Sequence, residues 1–294
     1  MNPPDTGGFK GSPLNPPDAN PPLPPAAGNH GRPSATGEPG PAASGGRRWV
    51  TVRPPQVRPV VTYTLIGLTV VVYLLQMASI YLFKGMDYPA GLGMKANQEI
   101  LQGQFWRLIT PMFLHSSSSL LHIAFNMYAL LALGPQLERF YGHWRFLMLY
   151  LLGGFAGNVA SFLLSPEYSL GASTAIFGLI GAQGVFLYRH RKMFGGVAQR
   201  ALANIVIVAV VNLIIGLSPG IDNWGHVGGL LGGTLFAWFG GPLMQVETEM
   251  GAPVGVPGGS LKLSDRREPG AVLAAGLLVG LLFAALAAVK FFLA

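Results

Sequence analysis

The chain has 294 residues, of which 50% are hydrophobic and only 11% charged, where an average soluble domain carries roughly a quarter charged residues. Its mean hydropathy of +0.44 speaks against an ordinary soluble globular enzyme and against disorder throughout. The absence of cysteine excludes a disulfide scaffold, a thiolate zinc site, an iron–sulfur cluster and a cysteine nucleophile. The net charge of +7 would raise nucleic acid as a partner in a soluble protein, so the positions of the charges matter.

Fifteen of the 24 prolines precede residue 60, in a stretch rich in Gly, Asn, Ser and Ala with few aliphatic residues. Such a segment buries too little apolar surface to offset the entropy of ordering it. Residues 1–58 therefore read as a disordered Pro/Gly-rich tail, and no apolar h-region marks a secretory signal. Seven apolar runs follow: Val60–Phe83, Leu108–Leu137, Phe146–Leu164, Ala172–Tyr188, Ala201–Leu217, Trp224–Met244 and Ala271–Ala294. Each can supply the roughly 20 residues a helix needs to cross a bilayer, with Ala172–Tyr188 short and the Leu108 run including some entry loop. Backbone in hydrocarbon must bond within itself, so the runs read as membrane-spanning helices. The sequence thus predicts an all-α polytopic membrane protein. Residues 59–244 form its core, 245–270 a linker, and 271–294 a seventh transmembrane helix.

Lys and Arg fix the expected orientation. Arg47, Arg48, Arg53 and Arg58 precede span one, Arg139 and Arg145 lie between spans two and three, and Arg189, Arg191, Lys192 and Arg200 between four and five. Lys262, Arg266 and Arg267 lie between six and seven. All four groups fall on one side, which the positive-inside rule makes cytoplasmic. The tail and linker are then cytoplasmic in a multi-pass protein of the cell membrane. The charge reads as topology, and nucleic-acid binding loses its support. The opposite loops carry fewer positive charges. The longest, Lys84–Arg107, is of a size that is often functional, with a plain connector as the alternative.

Spans two, four and six begin on the external side, and each carries polar residues near its start. Span two has His122 and Asn126, four apart on one helix face. Span four begins Gly171-Ala172-Ser173-Thr174, and span six Trp224-Gly225-His226. Ser and Asn join helices, and a buried His is often merely hydrogen-bonded. Four such groups at one depth on three helices point further, toward acyl transfer. Ser173 needs an adjacent base, and His226 suits the role. The helix start at Ser173 favours an oxyanion, to which His122 and the Asn126 amide add donors. With no Asp or Glu in the spans to orient the imidazole, the set reads as a dyad that requires no cofactor and no metal. Gly225, Gly229 and Gly233 form a stripe on span six, facing Gly178, Gly181 and Ala182 on span four, and such stripes let helices approach closely.

Gly171-Ala-Ser-Thr-Ala-Ile-Phe-Gly178 resembles the GxSx motif of the rhomboid intramembrane serine proteases. His122 to Asn126 resembles that family's HxxxN motif, Gly225-His226-Val-Gly-Gly229 its GHxxG helix, and Trp106-Arg107 the WR pair of its first loop. Glu138-Arg139 with Tyr141-Gly142 resembles the end of its second helix. The likeness covers about residues 59–244 and implies a six-helix rhomboid-like core plus one extra C-terminal transmembrane helix, a 6+1 arrangement. It implies an endopeptidase with Ser173 as nucleophile, His226 as general base, and His122, Asn126 and the Ser173 amide as the oxyanion hole. Gly171 and Gly229 support the site, and Phe177 lies against the base. Transmembrane proteins would be the substrates, cut where a small residue meets an easily unwound helix, with span five as a lateral gate. Two departures stand out. Thr174 occupies a position where many members have Gly, and Ser117 stands where a histidine is often found, which leaves His115 to fill that role through the longer Ser116–Ser119 stretch. A catalytically silent relative, a transporter and a scaffold are the competing classes. The retained Ser173 and His226 argue against the first. The lack of charged or broken spans argues against the second, and the polar cluster against the third.

Overall fold

A computed structural model describes residues 52–53, 55–248 and 261–293. The expected tail lies, up to residue 51, outside the described residues. Nine helices run through the described chain: α1 Val60–Leu82, α2 Tyr88–Gly93, α3 Asn97–Leu101, α4 Leu120–Tyr141, α5 His143–Leu164, α6 Ser173–Arg189, α7 Arg191–Ile215, α8 Asn223–Gly240 and α9 Pro269–Leu293. Two 3₁₀ turns, Phe105–Leu108 and Thr110–Phe113, lead from α3 toward α4.

Seven of the helices, α1 and α4 to α9, follow the seven apolar runs in order, with differences at their ends. The second run begins at Leu108, but α4 starts only at Leu120, because Pro111 and the serines 116–119 break the backbone and residues 105–113 coil into the 3₁₀ turns. The fifth run begins at Ala201, but the helix starts earlier, at Gly196, and Gly195, non-helical at φ +55°, sets off a preceding helical turn at residues 191–194. Gly142, at φ +74°, separates α4 from α5. The sixth run ends in Gly240-Gly241-Pro242, and Met244 already belongs to a strand.

Five helices (α1, α4, α5, α7 and α9) are long and apolar enough to cross a membrane. The two others of the seven, α6 with 17 residues and α8 with 18, are shorter and rich in glycine. They form the interior with α5, where burial against protein replaces contact with lipid. Their backbones touch. A Cβ on Gly229 would fall on the Thr174 carbonyl oxygen, one on Gly233 on the Gly178 backbone, and one on Gly153 within 3.0 Å of Gly178 Cα. The glycine stripes read from the sequence are thus the α6–α8 seam. By contrast α7 buries only Ala198 among its side chains. The Gly276–Gly280 face of α9 packs on α5: a Cβ on Gly276 would strike Met148, and one on Gly280 would lie 3.6 Å from Leu152.

A three-stranded sheet, absent from the sequence reading, adds to this helical fold. Strand β2 (Met244–Thr248) pairs antiparallel with β3 (Leu261–Asp265), and β1 (Val52–Arg53) pairs parallel with β3. The segment read as linker therefore carries two strands, and the last part of the tail a third. Arg145 holds Asp265 at 2.7 Å, and His190 Nε2 accepts the Met244 N–H at 2.9 Å, pinning the sheet to the ends of α5 and α6.

Candidate functional site

The close seam between α6 and α8 sets two side chains against each other. Ser173, the first residue of α6, and His226, in the first turn of α8, meet with Oγ 2.9 Å from Nε2. The His226 ring stacks on Phe177 with centroids 4.3 Å apart and planes inclined by 11°. Gly229 permits this approach, because any side chain there would displace the Thr174 backbone one residue from Ser173. Thr174 itself points away from the hydroxyl: a Cβ on Gly157 would meet Thr174 Cβ at 2.6 Å, so the extra side chain packs between α5 and α8.

On the α4 side, His122 Nδ1 accepts the Ser116 N–H at 3.3 Å, which leaves the proton of the neutral ring on Nε2. A Cβ on Gly171 would lie 2.8 Å from that Nε2 and 3.7 Å from Ser173 Oγ. His122 and Ser173 therefore border one small space, and Gly171, at φ +135°, keeps it clear. The first N–H groups of α6 have no partner within the helix. Asn126 donates one amide proton to the His122 carbonyl at 2.8 Å and keeps the other.

His115 is fully buried beside this cluster. Its Nε2 accepts the Ala172 N–H at 3.4 Å, and its ring lies 5.2 Å from that of His122. Gln76 of α1 grips the His115 backbone on both sides, at 2.9 and 3.0 Å. Burial, with His122 alongside, lowers the His115 imidazole to about 3 from its ordinary value of 6.5, so it stays neutral.

The first loop is built rather than slack. Arg107 donates to the Met94 and Gly91 carbonyls at 2.8 and 2.7 Å, and Trp106 Nε1 to the Leu92 carbonyl at 3.0 Å. Lys95, fully buried, donates to the Ser165 and Glu167 carbonyls at 2.7 Å each, and its desolvation lowers it to about 8. This ties the loop to the end of α5, next to the segment leading into Ser173. Two carboxylates carry roles that the sequence reading did not give them. Glu138 accepts from the Val61 and Thr62 N–H groups at 2.8 Å and caps α1 from α4. Asp222 caps α8, its Oδ1 accepting from Gly225 N–H at 2.9 Å. An Asp three residues before a helical Gly was the available signal for the second cap. The first joins sites 76 residues apart and left no local trace.

A serine hydroxyl bonded to an imidazole, beside free helix N–H groups and an Nε2–H donor, has the parts of a nucleophile, base and oxyanion site. Among the described residues no group of three His, Cys, Asp or Glu side chains is arranged to hold a metal ion.

The Rhomboid domain family matches residues 102–243. The match, 142 of 294 residues, marks a rhomboid domain within the chain. It is 46% identical over 142 residues to the rhomboid protease GluP of Bacillus subtilis, covering 48% of this chain and 27% of that one. It is 36% identical over 162 residues to the chloroplastic RHOMBOID-like protein 9 of Arabidopsis thaliana, covering 55% and 37%. It is 38% identical over 138 residues to the mitochondrial RHOMBOID-like protein 6 of the same plant, covering 46% and 44%. The matched rhomboid region thus spans less than half of each relative. It runs from the first loop to the end of α8 and contains His115, His122, Asn126, Ser173, Phe177 and His226, whereas Gln76 and Lys95 precede it.

Proposed function

We propose that this rhomboid domain is an intramembrane serine endopeptidase acting on transmembrane protein substrates. The observation that carries the reading is the 2.9 Å approach of Ser173 Oγ to His226 Nε2. Ser173 passes its proton to Nε2 and attacks the substrate carbonyl carbon. The oxyanion accepts from His122 Nε2–H, the Ser173 N–H and the second amide proton of Asn126. The C–N bond then breaks as His226 returns the proton to the leaving amine. Water repeats the steps on the acyl-enzyme and restores Ser173. The Phe177 stack holds the imidazole plane, and Gly171 keeps the oxyanion space open. The rhomboid protease GluP among the relatives supports a peptidase.

The α7 helix, least buried of the spans, serves as the side door for a substrate helix, and a small residue beside an easily unwound stretch suits the narrow space at Gly171. The basic loops support an N-terminus in the cytoplasm and a site toward the external face of the cell membrane. The test is cleavage of a single-pass transmembrane substrate by the purified chain in liposomes. Wild type cleaves, and Ser173→Ala, with the same melting temperature, loses at least a thousandfold. Cleavage that persists in Ser173→Ala would overturn the assignment.

A further inference from the structure

The N-terminus of α8 holds a carboxylate oxygen that neither the cap nor the dyad uses. Asp222 Oδ1 accepts the Gly225 N–H at 2.9 Å, and the Asp222 carbonyl accepts the His226 N–H at 3.2 Å. Capping needs one acceptor oxygen, and Asn or Ser supplies it about as well as Asp. The second oxygen, Oδ2, is buried and bonded to no protein group. Two other buried polar atoms of the neighbourhood are in the same condition, His226 Nδ1 and Thr174 Oγ1. Gly225 joins the three residues: a Cβ there would lie 2.7 Å from Asp222 Oδ2 and 3.0 Å from Thr174 Cγ2, and His226 follows it in the chain.

The proton inventory makes the second oxygen meaningful. For the Ser173 hydroxyl to donate to Nε2, the neutral imidazole must carry its own proton on Nδ1. Nδ1 is then a buried donor without an acceptor, and Asp222 Oδ2, one helical turn earlier, a buried acceptor without a donor. We propose that Asp222 is a positioning residue for His226, whose carboxylate favours the Nδ1–H tautomer and stabilises the imidazolium formed when Nε2 takes the Ser173 proton. Asp222 exchanges no proton: the proton moves from Ser173 Oγ to Nε2 and on to the leaving amine. The role rests on the Ser173–His226 reading above and extends its dyad by a third group on the same helix.

Asp222→Asn keeps the capping oxygen and the shape while removing the charge. In the liposome assay it should leave the melting temperature and KM unchanged and lower kcat about tenfold or more. Asp222→Ala should lower both kcat and melting temperature, since it removes the cap as well. Asp222→Ser, a second uncharged cap, reads the same test should Asn perturb the fold. Wild-type kcat in the stable uncharged variant would overturn the proposal and leave Asp222 a cap alone. The control separates the two readings. Without Ser173-dependent cleavage the peptidase reading fails and takes this one with it. Ser173-dependent cleavage untouched by Asp222→Asn removes only the role of Asp222.

Discussion

At the scale of single residues, the histidines of the site differ in what their partners allow. His122 is fixed as an Nε2–H donor by the Ser116 amide, whereas His115 receives an N–H from Ala172 and is sealed from water. Its folded pKa, depressed to about 3, makes the sign of its pH effect definite. The unfolded chain takes up a proton below about 6.5 that the folded His115 refuses. The stability it contributes is therefore present above 6.5 and is lost as pH falls toward 3. Thermal unfolding in detergent between pH 7 and 4 should show a falling melting temperature. His115→Gln, which keeps an acceptor but does not titrate, should flatten that slope. An unchanged slope would show that His115 is not the group responsible. Ser173, His226 and His122 were legible because a polar side chain in an apolar run stands out. The orientation of the Asn126 amide and the second oxygen of Asp222 depend on rotamers and partners that spacing does not encode.

Among the secondary-structure elements, the decisive contact is the α6–α8 seam. A methyl group on Gly229 would meet the Thr174 carbonyl, while one on Gly184, elsewhere on α6, would find only Ile205 Cγ2 at 3.9 Å. Gly229→Ala should cost about 1–3 kcal/mol of stability, seen as a lower melting temperature, and should reduce cleavage by moving Ser173 from His226. Gly184→Ala should melt and cleave like wild type, and equal behaviour of the two variants would contradict the close seam. Helix existence was legible here because seven apolar runs left little room for another reading. Helix ends were less so. Apolar content does not mark where the entry loop of the Leu108 run gives way to α4 at Leu120, and it misses the helical turn at residues 191–194 that Gly195 sets off from the rest of α7.

For the molecule as a whole, low apolar length marks α6 and α8 as inner helices, while α5 joins an apolar sequence to an interior position. The five obvious spans include α1, α7 and α9, whereas α6 and α8, which carry Ser173 and His226, trade apolar length for glycine and polar groups. The β1-β3-β2 sheet was invisible to sequence because its strands are two to five residues long and β1 lies more than 200 positions from β3. The expected orientation is open to direct labelling, since the chain has no cysteine to remove. A cysteine at exposed Ser118 should react with an impermeant maleimide on intact cells, and one at exposed Lys192 only after permeabilisation. The reverse pattern would invert the topology.

The central claim, that Ser173 is a nucleophile activated by His226, is tested most directly by a fluorophosphonate probe with the modified residue mapped by mass spectrometry. The account predicts a single label on Ser173 in the wild-type protein, none in Ser173→Ala, and strongly slowed labelling in His226→Ala. Label that persists in Ser173→Ala, or that maps to another serine, would contradict it.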